Sequence, residues 1–186
     1  IDQRDWRTLS NHRIAAIRFN VVDRQFLLSE ISKYSDQDQT ILFWNPGYEF
    51  LQELKIKNSH LFLSATNFSV NGELDLISVC DQLEKPSLLV VEGIAQVSRQ
   101  LSFQLRNFYF ANHRHHIILV DEVIQIPLEL YSLIPVLELK IPDVIEIRKY
   151  LLQLLGHLDE PTLPSACFGL SKGEIKILVS SHTEQF

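Results

Sequence analysis

Strand-sized apolar runs alternate along this chain with segments of helical period, and no other feature of the sequence constrains its fold as tightly. Arg13 to Phe19, Thr40 to Trp44, Ser87 to Val91, His116 to Val120 and Ile134 to Leu139 read as five strands. Ser87 to Val91 is apolar almost without interruption, the pattern of a strand buried on both faces. Between these runs the apolar residues move to a spacing of three and four. Phe26, Leu27, Ile31 and Tyr34 form one such stripe, and Leu74, Ile77, Cys80 and Leu83 a second, within Glu73 to Glu84. Ile94, Val97, Leu101, Leu105 and Phe108 form a third, the clearest in the chain.

Further signals place the remaining boundaries. Asn20 stands three residues before Asp23, which suits a helix start. Asn45-Pro46-Gly47 is a strong turn. Tyr48 to Leu54 reads as a short helix, and Leu61 to Leu63 is left unassigned. Pro142-Asp143 with Glu146 predicts a capping box opening a helix whose buried face is Val144, Ile147, Leu151 and Leu154. A last helix is expected from about Ser171 to Ser181. The order β-α-β-α-β-α-β-β-α predicts an α/β fold, a three-layer α/β/α sandwich around a five-stranded, mostly parallel sheet. Gly156 to Ser165, with two prolines, reads as a linker. The expected division is therefore 1–155 for the α/β domain and 156–186 for the linker and a partial helical lid.

Composition limits the functions open to such a fold. With 46% hydrophobic and 22% charged residues in 186, the chain can fill and cover one core. A net charge of -6 opposes polyanions, so nucleic acid is not an expected partner. No apolar run is long enough for a transmembrane helix, and no signal-peptide layout opens the chain. Cys80 and Cys167 read as reduced core thiols of an intracellular protein. The chain starts at Ile1 and contains no methionine, so it is expected to be a piece of a longer or processed protein.

Several motifs invite a chemical reading. A nucleotide-hydrolysing α/β domain cradles phosphates in a glycine-rich loop after its first strand, and a lysine neutralises them. Here that segment is Asn20-Val21-Val22-Asp23-Arg24-Gln25, without glycine or lysine, and Asp23 repels phosphate. Asp121-Glu122, ending an apolar strand, has the look of a Walker B pair. Glu92-Gly93 is the better positional match, with one carboxylate where two are wanted. An atypical ATPase or nucleotide sensor would use Glu92, or Asp121 with Glu122. A flavodoxin-like phosphoacceptor or ligand domain would instead gather Asp23 and Glu92 at one edge of the sheet.

Gly169-Leu170-Ser171-Lys172-Gly173 fits the nucleophile elbow G-x-S-x-G, but the preceding Pro164 to Phe168 makes a poor strand and only His182 follows. Ser171 and Glu174 read better as a capping box. His113, His115 and His116 lack a further ligand at metal spacing and read as a solvated turn. Phe103, Phe108, Tyr109 and Phe110, interleaved with Arg99, Arg106 and Arg114, supply more aromatics than one helix stripe needs and suggest a partner surface. No catalytic, cofactor-binding or metal-ligating residue is assigned.

In order along the chain, four stretches resemble the N-terminal region of a large AAA-type ATPase of cyanobacteria and algal chloroplasts, the hypothetical chloroplast reading frame forty-six. They are Ile14 to Phe19 with Asp23-Arg24; Leu42-Phe43-Trp44-Asn45-Pro46-Gly47; Ile126 to Leu130 through Leu139 to Asp143; and Ala166 to Ser171 with Glu174-Ile175. Lys55 to Asn71 departs from the family and suggests a polar surface insertion. The resemblance implies a P-loop-NTPase or AAA-like fold with a small C-terminal helical lid. It implies a non-catalytic module that mediates assembly or partner binding, by self-association or beside an active AAA module in cis or in trans. It also implies a place in cyanobacterial cytoplasm or chloroplast stroma, and a regulatory role in photosynthesis or carbon acquisition.

Overall fold

A computed structural model describes residues 3–35, 38–58, 60–111, 114–158 and 162–183. Helix α1 (Gln3–Asn11) leads into strand β1 (Ile14–Arg18), then helix α2 (Arg24–Tyr34) and strand β2 (Thr40–Trp44). Strands β3 (Phe50–Lys57) and β4 (His60–Ser69) follow as a hairpin. Next come α3 (Leu76–Gln82), β5 (Ser87–Glu92), α4 (Arg99–Phe110), β6 (His116–Asp121) and β7 (Val136–Glu138). The chain closes with α5 (Val144–Leu155), the single turn α6 (Leu163–Ala166) and α7 (Lys172–Thr183).

The strands form one sheet in the order β4-β3-β2-β5-β6-β1-β7. The five expected strands all pair in parallel, with Ile14 beside Ile117 and Ala16 beside both Leu119 and Val136. The expected count of five is corrected to seven. Tyr48 to Leu54 is not a short helix: most of it belongs to β3, antiparallel to β2. The unassigned Leu61 to Leu63 belongs to β4, antiparallel to β3. Leu54 and Ile56 alternate with Lys55 and Lys57, the period-two pattern of an edge hairpin. Asn58, at a φ of 51°, ends β3 in the left-handed conformation that asparagine tolerates. Most of the polar stretch Lys55 to Asn71 lies in β3 and β4, where it widens the sheet.

Period two also explains the layers. Ile14, Ala16, Leu42, Trp44, Leu89, Val91, Ile117 and Leu119 point to one face, where they meet Val79 and Cys80 of α3 and Leu101, Leu105 and Phe108 of α4. Ala15, Ile17, Ile41, Phe43, Leu88, Val90, Ile118 and Val120 point to the other, under Leu9 of α1 and Leu27, Leu28 and Ile31 of α2. Both faces are covered, which is why these strands are continuously apolar. Each fully buried aliphatic contributes about 1.5–3 kcal/mol by leaving water. The N-terminal helix α1, to which no sequence signal pointed, closes the second face.

A separate small core gathers Ile147 and Leu151 of α5, Cys167 after α6, and Ile175 of α7. The expected capping box opens α5, with Asp143 and Glu146 each accepting the other's backbone N–H, and Gly156 ends it at a φ of 76°. Among the described residues no helix is long and apolar enough to cross a membrane.

Candidate functional site

The first parallel strand β1 lies between β6 and β7, so the chain leaves β1 toward one side of the sheet and returns past it to reach β7. Such a switch point opens a crevice at the carboxyl ends of the strands, where ligands bind in open α/β sheets. The segment after β1 forms that crevice's floor. Asn20 caps a single 3-10 turn, Val21–Asp23, with its side chain accepting from Val22 N. Val21 and Val22 stay substantially exposed, whereas Asp23 is buried.

Protein carboxylates engage the groups around this turn. Glu122 Oε1 accepts from Val21 N at 3.2 Å, and the Glu122 N–H is itself held by Asp121 Oδ1 at 2.7 Å. Asp23 Oδ1 accepts from Gly173 N at 2.7 Å, in the first turn of α7. Asp23 precedes α2 yet makes no side-chain cap there. Its charge instead meets the N-terminal end of a helix 150 residues away, where backbone amides and the helix dipole favour an anion. Contact is close: a Cβ on Gly173 would stand 2.4 Å from Val22 O and 2.9 Å from Asp23 Oδ1, so only glycine lets α7 rest on the turn.

Glu92 closes the crevice's other side. It is 7% exposed and ends β5. Arg24 donates to both its oxygens, Nε to Oε1 at 2.7 Å and Nη2 to Oε2 at 2.6 Å, and Asn45 Nδ2 donates to Oε2 at 2.9 Å. The guanidinium also lies 5.9 Å from the centre of the Phe43 ring. Gly93, at a φ of 89°, lets the Asn45-Pro46-Gly47 turn close over the strand end, because a Cβ there would meet Pro46 Cδ at 2.9 Å. A bidentate pair with a further amide donor satisfies the carboxylate as it stands.

Beside the turn lies a cleft of about 720 Å³, bounded by Arg18, Asn20, Asp23, Glu138, Tyr150 and Lys172 among others. Three of the four cations on its walls hold carboxylates: Arg18 with Glu138, Lys33 with Glu30, and Lys140 with Asp5. Tyr150 packs edge-on against Phe26, centroids 5.5 Å apart, and joins α5 to α2. Burial first, and the charge of Asp23 second, push its phenol above the usual value.

The other sequence candidates resolve individually. Asp121 ends β6 and Glu122 follows it; Glu122 accepts from Val21 N in the turn after β1, and Asp121 accepts from Glu122 N. Asp23 and Glu92 both lie at the carboxyl edge of the sheet, and their carboxylates go to different partners, Gly173 and Arg24 with Asn45. Ser171 and Glu174 exchange backbone bonds at 2.7 and 3.2 Å, the geometry of the helix cap, and α6 stands where an elbow needs a strand. His182's side chain lies outside the described ones. Of the histidines, His113 lies outside the described residues. His115, just before β6, is buried at 4%, against the solvated turn expected. His116 pairs through Nδ1 with Gln39 at 3.3 Å. Phe108 is core, whereas Phe110 is 71% exposed, and Phe103 lies beneath both Arg99 and Arg106. Cys80 and Cys167 are buried and free.

Sequence reasoning did not find Arg24, Asn45 or Gly173. The first two lie 68 and 47 residues from Glu92, with no motif linking them. Gly173 was read only as part of the elbow, although a glycine in the first turn of a helix is itself a sign of close backbone approach.

No family model matches the chain, and neither does any curated protein. A chain of the solved E. coli MS115-1 HORMA:CdnC:Trip13 complex is similar to it at 12% identity and a TM-score of 0.46, covering 91% of this chain and 74% of that one.

Proposed function

We propose that this chain is a non-catalytic module of the P-loop and AAA kind, whose nucleotide site has been closed by its own acids and whose work is assembly or partner binding. The α/β domain of residues 1–155 carries the sheet, and the helices beyond it form a small lid. The carrying observation is the occupied turn after β1. A phosphate cradle presents free amides and a cation. Here Val21 N holds Glu122, and the Asp23 carboxylate points to Gly173 N. An entering triphosphate would have to displace the exposed Glu122 carboxylate from Val21 N and meet the charge of buried Asp23.

A module of this kind acts through its surfaces, by self-association or beside an active AAA module in the same or another chain. The exposed Phe110 with the Arg-flanked Phe103 on α4 offers one such surface. From the likeness to the chloroplast reading frame we infer that this work is done in cyanobacterial cytoplasm or chloroplast stroma, as regulation tied to photosynthesis or carbon acquisition.

Thermal unfolding with and without Mg·ATP tests the closed site. A ligand present at a hundredfold its Kd stabilises by about 2.7 kcal/mol, several degrees for a domain of this size. No shift is expected with about 1 mM nucleotide. A magnesium-dependent rise of several degrees would sink the proposal.

A further inference from the structure

The sheet has two edges of very different character. β7 is three residues long, a blunted edge, whereas β4 is ten residues long and pairs on one side alone among the described residues. Proteins protect long edges with lysine, proline or inward charge, because a row of unpaired amides and carbonyls recruits another strand. From Leu61 to Ser69 β4 has no charged residue and no proline.

Its irregularity leaves the rim usable. The register with β3 shifts between Phe50 and Gln52, and the amides there turn inward: Phe68 N donates to Thr66 Oγ1 at 3.2 Å and Val70 N to Glu49 O at 2.8 Å. Alternation along a strand then leaves the amides of Leu61, Leu63, Ala65, Asn67 and Ser69 on the outer edge.

The rim is also nearly a palindrome. Around Ala65 the sequence reads Phe62, Leu63, Ser64, then Thr66, Asn67, Phe68. A twofold axis perpendicular to the sheet at Ala65 places that residue opposite its own copy, Ser64 opposite Thr66, and Phe62 opposite Phe68. Each pair joins side chains of the same face, as strand pairing requires. Aromatic pairs and hydroxyl pairs are among the favourable cross-strand matches, and no like charges meet. Phe62 is 41% exposed, while Phe68 packs against the first core. The copy's Phe68 would therefore carry that core across the axis to Phe62.

We propose that β4 pairs antiparallel with β4 of a second copy, making a symmetric dimer with one continuous sheet. Four strands separate β4 from β1, and the proposal does not rest on the closed nucleotide site.

Sedimentation of the chain between about 1 and 100 μM should show a concentration-dependent dimer. Ala65→Lys opposes two ammonium groups at the axis and should weaken it at least about tenfold. Ile56→Lys, the same charge change on β3, should leave it intact. Ala65→Cys should give a disulfide-linked dimer on mild oxidation, since hydrogen-bonded cross-strand Cα atoms lie about 5.5 Å apart, within disulfide reach, and the native cysteines are buried. A wild type that stays monomeric throughout would overturn the proposal, and so would a dimer indifferent to Ala65→Lys. Should Ala65→Lys fail to fold, the crosslink decides: its absence from Ala65→Cys overturns the pairing.

Discussion

Gly173→Ala separates packing from intrinsic preference, because the two predict opposite signs. Gly173 lies in the first turn of α7, where alanine is the better helix former by up to about 1 kcal/mol. On propensity alone the substitution stabilises. In the structure the new methyl would stand 2.4 Å from Val22 O, 2.7 Å from Val22 C and 2.9 Å from Asp23 Oδ1. Two of these are backbone atoms, fixed by the 3-10 turn and by Asn20. Relief therefore requires α7 to back away by nearly an ångström, which lengthens the 2.7 Å bond from Gly173 N to Asp23. A hydrogen bond to a buried charged acceptor contributes about 1.5–3 kcal/mol. After the propensity gain, a net loss of about 1–2 kcal/mol is expected. Urea unfolding measures it, and hydrogen exchange in α7 should rise before global unfolding. A variant as stable as the parent, or more stable, would refute the contact between α7 and the turn.

Arg24→Ala should destabilise by about 2–3 kcal/mol, because Glu92 stays buried without its bidentate partner; the double change with Glu92→Gln should recover part of that in a denaturation cycle. Asp23→Asn should cost about 0.5–2 kcal/mol and increase protease cleavage between α5 and α7, since the charge at the α7 N-terminus is lost. Burial, with a smaller push from the charge of Asp81, raises the Cys80 thiol from 9.0 to about 12. Folding therefore favours the protonated thiol: that stability is whole below pH 9.0 and fades as pH climbs toward 12. Thiol reagents at pH 8 should consequently label the native protein far more slowly than the unfolded chain.

The parallel sheet was legible because burial on both faces leaves strands such as Ser87–Glu92 without polar interruption, and the helices between them because stripes such as Leu101, Leu105 and Phe108 keep their period. The capping boxes at Asp143 and Ser171 were legible because their partners are three residues apart. The hairpin was missed where Phe50 and Leu51 adjoin and mimic a helical pair, although Leu54 to Lys57 alternates. At the site, the missing glycine and lysine could be read directly. What fills the place instead could not, because Asp23 reaches Gly173 and Glu122 reaches Val21 across more than a hundred residues. The sheet's topology brings Glu122 to Val21, and the packing of α7 on the turn brings Gly173 to Asp23.

Calorimetric titration of the chain with Mg·ATP tests the closed turn most directly. The account predicts no saturable heat with a Kd below about 100 μM, roughly 5–6 kcal/mol of binding. Magnesium-dependent binding tighter than that, weakened by substitutions at Glu92 or Asp121, would contradict it and make the chain a nucleotide sensor.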